Sequence, residues 1–152
     1  PVMALVGCAD APPPKNAVPA AGLALHAISM QPCAGCRKAQ HNGLDAYLKP
    51  MPVASSADIE RIETTVDYLG LPAIQIRFTS AASGRLLRAT AEHISQPLAW
   101  KIDDTILAVA TVNEPFGSDM ILTGIDAAET DRLYKRMTGS PSRLGEQRRR
   151  PE

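Results

Sequence analysis

Residues 69–80 are Leu-Gly-Leu-Pro-Ala-Ile-Gln-Ile-Arg-Phe-Thr-Ser, and they begin the segment, ending at Gly124, around which the rest of the chain is organised. In residues 74–78, three apolar side chains alternate with two polar ones. Because successive side chains of a strand point to opposite faces, this alternation predicts a half-buried strand over residues 73–78.

A helix is predicted directly after this strand. The hydroxyl of Thr79 or Ser80 can accept a hydrogen bond from an unpaired amide of the first turn. Pro97 restricts the residue before it and ends the helix. Between these limits three apolar residues recur at helical spacing: Leu87, Ala91 and Ile94.

Two apolar runs follow, over residues 98–102 and 105–112, and they flank the pair Asp103-Asp104. Aspartate tolerates a positive φ, so two such residues between two strands predict a tight hairpin. Trp100 lies in the first run, and we expect it to pack in the core rather than to hold a ligand.

The remaining elements are predicted from shorter patterns. Apolar alternation over residues 21–29 indicates a first strand, and residues 61–68 indicate a strand preceded by a short helical turn near Asp58. Residues 37–47 are polar and predict a short helix or a loop. Pro50 and Pro52 predict an irregular edge over residues 48–56.

The end of the chain predicts a strand and then a helix. Residues 120–123 form a short apolar run. Asp126 and Glu129 are spaced like a capping box, and Gly139 is a good helix terminator. From residue 140 the chain is rich in Ser, Pro, Gly and Arg, and we expect a disordered basic tail over residues 140–152.

Size and charge restrict the function. The chain has 152 residues, enough for one domain of sizeable core with one or two tails. Its formal net charge is zero, so neither nucleic acid nor an anionic membrane surface is indicated as a partner. No stretch approaches the roughly 20 apolar residues that span a bilayer.

The order of these features resembles the head subdomain of the first periplasmic domain of SecD, part of the SecDF accessory of the bacterial protein translocase. The resemblance covers roughly residues 55–138 and is one of pattern order. Ser95 departs from it, standing where the family often has Gly. The matching residues are Gly70, Pro72, Ala73, Phe78, Ser80, Pro97, Leu98, Ala99, Asp103, Glu114, Pro115 and Gly124.

The resemblance implies an α+β domain of two layers over residues 21–139, with helices packed on a mostly antiparallel sheet. It also implies contact with polypeptide emerging from the translocon. We expect a stand-alone head-like domain, without the membrane channel that accompanies it in SecD.

Residues 1–20 predict a membrane tether. Leu5-Val6-Gly7-Cys8 is typical of the lipobox of bacterial lipoproteins, in which the thiol of Cys8 carries the lipid. A Pro-rich stretch follows it and cannot pack. The alternative is an ordinary cysteine, because the basic start and apolar core of a signal peptide do not precede it. We expect a lipid-anchored, periplasm-facing protein, on a membrane that the sequence does not identify.

Cys33 and Cys36 have CxxC spacing, which is compatible with several chemistries. In an oxidising periplasm a local disulfide is the favoured interpretation. A thioredoxin-like redox pair would need a βαβ context. A zinc site would need His26 or His41 to complete it. A c-type haem site is excluded, because Arg37 follows the second cysteine.

No catalytic motif is recognisable in the sequence. The three histidines are isolated, the serines lack a nucleophile-elbow context, and no Gly-rich phosphate loop is present. We therefore expect no enzyme activity, no cofactor and no metal. The leading hypothesis is a non-catalytic lipoprotein that binds a protein or extended polypeptide in an envelope translocation assembly. The alternatives are an inhibitor or immunity-type lipoprotein that blocks an envelope enzyme or toxin, and a thiol oxidoreductase.

Overall fold

A computed structural model describes residues 18–139 of the chain. These residues contain eight strands, two α-helices and a short 3-10 helix over Ser56–Asp58. The strands are β1 (Leu23–Ser29), β2 (Arg37–His41), β3 (Leu44–Ser55), β4 (Ile59–Val66), β5 (Pro72–Phe78), β6 (Pro97–Ile102), β7 (Thr105–Thr111) and β8 (Asp119–Leu122). The helices are α1 (Ser80–Ala91) and α2 (Ala127–Thr138).

The strands form two antiparallel sheets. The larger has the order β2-β3-β1-β6-β7, and the smaller has the order β4-β5-β8. Every strand pair in both sheets is antiparallel. The predicted α+β class with mostly antiparallel strands is confirmed, and the division of the strands between two sheets is a feature that the sequence did not reveal.

One continuous core joins both sheets and both helices. The smaller sheet contributes the alternating face of β5, where Ile74 and Ile76 have no exposed surface. The larger sheet contributes Leu25 and Trp100, which lie opposite each other on β1 and β6. Burial of such side chains stabilises a fold by about 1.5–3 kcal/mol each, so this shared core holds the two sheets together.

Three aromatic rings form a stack inside this core. The centroid of the Phe78 ring lies 6.4 Å from that of Trp100 and 5.8 Å from that of Phe116. The loop that carries Phe116 is attached to α1 by Thr90, whose hydroxyl accepts from the Phe116 amide at 2.9 Å and donates to the Leu86 carbonyl at 2.8 Å. The buried Thr90 therefore positions the third ring.

The helix α1 begins where it was predicted, but the residues that it buries are not the predicted ones. Thr79 is the N-cap, and its side chain accepts from the Ala82 amide at 3.3 Å. The residues that face the core are Ala82, Leu86 and Thr90. Leu87 and Ile94 are exposed, because packing against the sheets and the Phe116 loop turns Leu86, rather than Leu87, toward the core.

The interpretation of residues 37–56 was wrong. They form the hairpin of β2 and β3, in which Ala39 pairs with Ala46, rather than a short helix or loop and an irregular edge. The turn is Asn42-Gly43, with φ of 51° and 77°, which is the geometry that an Asn-Gly hairpin turn requires. The two prolines are tolerated because the pairing of β3 with β1 is irregular between Leu25 and Ile28.

Other predicted elements are confirmed. The two-residue turn at Asp103-Asp104 connects β6 and β7, and Asp103 has a φ of 51°. The side chain of Asp126 caps α2 through the Glu129 amide at 2.8 Å. Gly139 ends α2 with a φ of 72°.

The terminal predictions fall mostly outside the described residues. Cys8, the lipobox, most of the tether over residues 1–20 and the basic tail over residues 140–152 are not covered by residues 18–139. They stay predictions from the sequence.

Gly117 provides a test of the packing between α1 and the loop before β8. A Cβ at this buried position would lie 2.6 Å from the backbone oxygen of Ser83. Gly117→Ala should therefore lower the free energy of unfolding by about 1–3 kcal/mol, because backbone must move to relieve the overlap. Urea unfolding measures the change.

The matched control is Gly84→Ala on α1, where the nearest atom to an added Cβ is the Arg88 guanidinium at 3.8 Å. Alanine is the better helix former, so this variant should gain about 0.5–1 kcal/mol. A Gly117→Ala protein as stable as the wild type would contradict the close approach.

Candidate functional site

A cluster of exposed apolar side chains lies at the tip of the β4–β5 hairpin. Four large apolar side chains are exposed there, and that of Tyr68 is 94% exposed. We call this group the apolar tip, and its members are Val66, Tyr68, Leu69 and Leu71. Adjacent exposed apolar side chains of this kind commonly mark an interaction surface.

Hydrogen bonds to Asp67 hold the apolar tip in one shape. Its carboxylate accepts from the Leu69 amide at 2.8 Å and from the Leu71 amide at 2.9 Å. Its backbone amide donates to the Leu71 carbonyl at 2.8 Å. Gly70 completes the turn with a φ of 78°. The apolar side chains are thus presented on a preorganised turn, which lowers the entropic cost of binding.

A second feature is a depression of about 240 Å³ beside the larger sheet. We call it the cationic depression, because most of its polar lining is positively charged. Among the described residues, neither Lys49 nor Lys101 forms an ion pair with a carboxylate. The lining residues are His26, Gly35, Arg37, Leu48, Lys49, Pro50 and Lys101.

His26 lines this depression and is 8% exposed. Its Nδ1 is 2.7 Å from the Lys49 carbonyl oxygen, so this nitrogen carries the proton and donates. Burial lowers the pKa of His26 below its ordinary value of 6.5; the hydrogen bond to Lys49 opposes this effect, and the charge of Lys101 adds to it. The imidazole is consequently neutral at pH 7.

Cys33 and Cys36 form a disulfide whose Cα atoms are 5.2 Å apart. The bridge closes the loop between β1 and β2, and Gly35 of this loop lines the cationic depression. The CxxC segment therefore connects β1 to β2, which run parallel to each other on either side of β3, and it does not begin a helix. The helix N-terminus that activates a thioredoxin-like thiolate is missing at this position.

A third feature is a depression of about 440 Å³ with serines and charged groups in its lining. Ser83 and Ser118 have their hydroxyl oxygens 3.4 Å apart, and Arg77 is bound to Asp119 at 3.0 Å. No histidine or cysteine lines this depression, and its carboxylates are those of Glu60 and Asp119, of which Asp119 is paired with Arg77.

Metal-binding clusters and membrane-spanning helices are both absent from residues 18–139. No group of three or more His, Cys, Asp and Glu side chains within residues 18–139 has a geometry that would hold a metal ion. None of the helices in this part of the chain is long and apolar enough to cross a membrane.

The sequence predicted some of these positions and missed others. Trp100 is fully buried, as expected. Tyr68 was expected on a strand face, but β4 ends at Val66 and leaves the tyrosine exposed. The convergence of Lys49 and Lys101 was missed because β3, the second strand of the β2–β3 hairpin, was not recognised, and β3 and β6 pair with opposite edges of β1. The Asn42-Gly43 dipeptide was the signal that would have revealed that hairpin.

The described residues thus form an antiparallel α+β domain with a preorganised apolar surface. The sequence matches the family described as SecDF, P1 head subdomain, over residues 34–139. The chain belongs to this family.

Known relatives agree with this assignment. The chain is 30% identical over 87 residues to the protein translocase subunit SecD of Rhodobacter capsulatus, covering 57% of this chain and 16% of that protein. The chain therefore spans about one sixth of the length of this curated relative.

Two solved structures have a similar fold. One is a crystal structure of SecDF in the super-membrane-facing form, with a TM-score of 0.53, 14% identity, and coverage of 78% of this chain and 19% of the other. The second is a structure of SecDF, described as a membrane component that enhances protein export. Its TM-score is 0.51 at 14% identity, with coverage of 82% of this chain and 66% of the other.

His26 makes the stability of the fold depend on pH. Its pKa is lowered in the folded protein, so the unfolded chain binds the proton more readily. The contribution of His26 to the free energy of unfolding is therefore fully present above its pKa in the unfolded chain, 6.5. This contribution is lost as the pH falls through the pKa of the folded protein. This one proton contributes at most about 1.4 kcal/mol per pH unit.

Urea unfolding between about pH 8 and pH 5 measures this dependence. His26→Gln removes the titrating group, and we expect its stability to fall less over the same range. Asp58 does not interfere. Burial opposes its charged form, but hydrogen bonds from Ser55 and Arg85 hold its pKa below 3.8, so its contribution is lost in more acidic solution. Equal slopes for the wild type and the variant would contradict the role of His26.

Proposed function

We propose that this chain is a non-catalytic, periplasm-facing domain that binds a protein or an extended polypeptide within an envelope protein-export assembly. Membership of the SecDF P1 head family supports this proposal. So do the names of its relatives, a protein translocase subunit and a membrane component that enhances protein export.

The observation that carries the proposal is the apolar tip. Its side chains are exposed on a turn that Asp67 fixes through two backbone amides. Tyrosine is one of the residues that contribute most to the binding free energy of protein interfaces, and covering the leucine side chains adds the free energy of burying apolar surface. A surface that is rigid and apolar suits apolar segments of differing sequence, because little of the recognition depends on matched polar groups.

The edge of the smaller sheet supplies a second element of recognition. The strand β4 leads into the apolar tip and pairs only with β5 in that sheet. An extended segment can add to such an edge through backbone hydrogen bonds. Arg61 and Glu63 on this edge form an ion pair at 3.3 Å, and charged edge residues of this kind limit uncontrolled strand addition.

We propose further that Cys8 anchors the chain to a membrane through a lipid. The support is the Leu5-Val6-Gly7-Cys8 pattern and the Pro-rich stretch after it, which would let the domain reach a partner at some distance from the bilayer. In the intact gene product, Cys8→Ser should move the protein from the membrane fraction to the soluble fraction. A variant that stays in the membrane fraction would refute the anchor.

The apolar tip is tested by replacing Tyr68, Leu69 and Leu71 together by serine. Removing three exposed apolar side chains should leave stability nearly unchanged and weaken polypeptide binding by about tenfold or more. The measurement is fluorescence anisotropy with a panel of labelled unfolded segments. Leu87→Ser is the matched control, because it removes an exposed leucine from α1 and should bind like the wild type.

Photo-crosslinking in the cell envelope identifies the partner. A crosslinker at position 68 should capture many polypeptides, whereas one at position 87 should capture few. Capture of a single partner with nanomolar affinity would instead support the inhibitor or immunity-type function. Equal losses of binding in the tip variant and in Leu87→Ser would overturn the assignment of the apolar tip.

A further inference from the structure

The sheet brings the polar groups of the cationic depression together from several strands. His26 on β1 lies opposite Ala99, and Lys101 on β6 lies opposite Ala24, so both side chains project from the same face of the sheet. Lys49 lies in the irregular part of β3, between the residues that pair with Ile28 and His26. A group on this face is within reach of all three side chains.

The charges of the cationic depression are not balanced. Lys101 donates to the backbone carbonyl of Asp103 at 3.0 Å, which leaves its positive charge without a carboxylate. Arg37 is paired with Asp104 at 2.8 Å, and both side chains are 68% exposed, so this pair is weak. Its guanidinium retains further N–H donors for a ligand.

His26 adds to the lining of the depression a hydrogen-bonding atom without a partner among residues 18–139. Because Nδ1 donates to the Lys49 carbonyl, Nε2 of the neutral ring carries a lone pair. No hydrogen bond to Nε2 is formed within the described part of the chain. Nε2 is not one of the fully buried unsatisfied atoms of residues 18–139, so it is accessible from the depression and can bond to a water or a ligand there.

We propose that the cationic depression is a binding site for a small oxyanion, of the size of a sulfate, phosphate or carboxylate group. Its volume of about 240 Å³ is below the roughly 300–1,000 Å³ of sites for drug-sized ligands, and suits one small group. The two lysines and Arg37 supply charge-assisted hydrogen bonds, which are the strongest that an oxyanion can accept.

Binding of the oxyanion is coupled to a proton. A bound anion offsets the charge of Lys101 and accepts a hydrogen bond from Nε2 once the ring is protonated. The charged groups that line the depression with His26 are Lys49 on β3, Lys101 on β6 and Arg37 on β2. The carboxylate that pairs with one of them is Asp104 of the β6–β7 turn, bound to Arg37. The negative charge of a bound anion stabilises the imidazolium, so the anion raises the pKa of His26 and binds more tightly as the pH falls.

The test uses sulfate, which stays fully ionised across the range in which histidine titrates. Sodium sulfate is titrated into the full chain at constant ionic strength, with chloride as the replaced salt, and the imidazole resonances are followed by NMR. His26 should shift with saturation, and the resonances of His41 and His93, which do not line the depression, should not. An equal response to chloride would overturn the site.

Variants distinguish the site from general attraction of anions. Lys101→Gln should weaken sulfate binding on the order of tenfold, the effect of one charge-assisted hydrogen bond. Lys38→Gln is the matched control, because Lys38 is an exposed lysine on β2 that pairs with Asp45 at 3.3 Å and lies outside the lining. Equal effects of the two substitutions would contradict the proposal.

The pH dependence of sulfate binding tests whether the protonation of His26 is coupled to it. The dissociation constant for sulfate should fall as the pH is lowered from about 8 to about 5.5, and His26→Gln should bind weakly with no such trend. If His26→Gln does not fold, the pH profile of the wild type is still decisive, and an affinity that does not change with pH overturns the coupling.

Acetate, measured at pH 6 and above, tests whether the site also binds carboxylates. Saturable acetate binding identifies carboxylates as ligands, and its absence restricts the site to sulfate and phosphate groups.

Discussion

The stack of Phe78, Trp100 and Phe116 is the contact on which the rest of the domain depends. One ring comes from β5 of the smaller sheet, one from β6 of the larger sheet, and one from the loop before β8. The chain has only six aromatic residues, and three of them are committed here. The Trp100 Nε1 has no hydrogen-bond partner within residues 18–139, so the burial of this ring outweighs the cost of an unsatisfied donor.

The elements nearest this stack are those that local sequence signals predict well. Apolar and polar residues alternate along β5, and the β6–β7 hairpin has turn residues between its two apolar runs. Thr79 directly precedes the first turn of α1 and is its N-cap. These signals act within a few residues. The rotation of α1 about its axis is a tertiary property, which is why Leu86 rather than Leu87 faces the core.

The cationic depression could not be predicted, because its residues converge only after several strands have paired. The prolines of β3 are incompatible with a regular central strand, and for this reason the sequence did not predict a strand there. The strand forms nevertheless, because its pairing with β1 is irregular. Ser95 illustrates the opposite case. It departs from the glycine that the family often has, and its φ of 64° is the left-handed conformation that glycine adopts without strain.

The apolar tip and the cationic depression belong to different sheets, and this separation has a physical consequence. The tip extends from β4 and β5, whereas the depression lies beside β1, β3 and β6. The two sheets meet through a close-packed core, which transmits strain only if its side chains have a second arrangement. Asp67 fixes the tip by contacts within its own turn, so its shape does not depend on the depression. A polypeptide at the tip and an oxyanion in the depression should therefore bind with additive free energies.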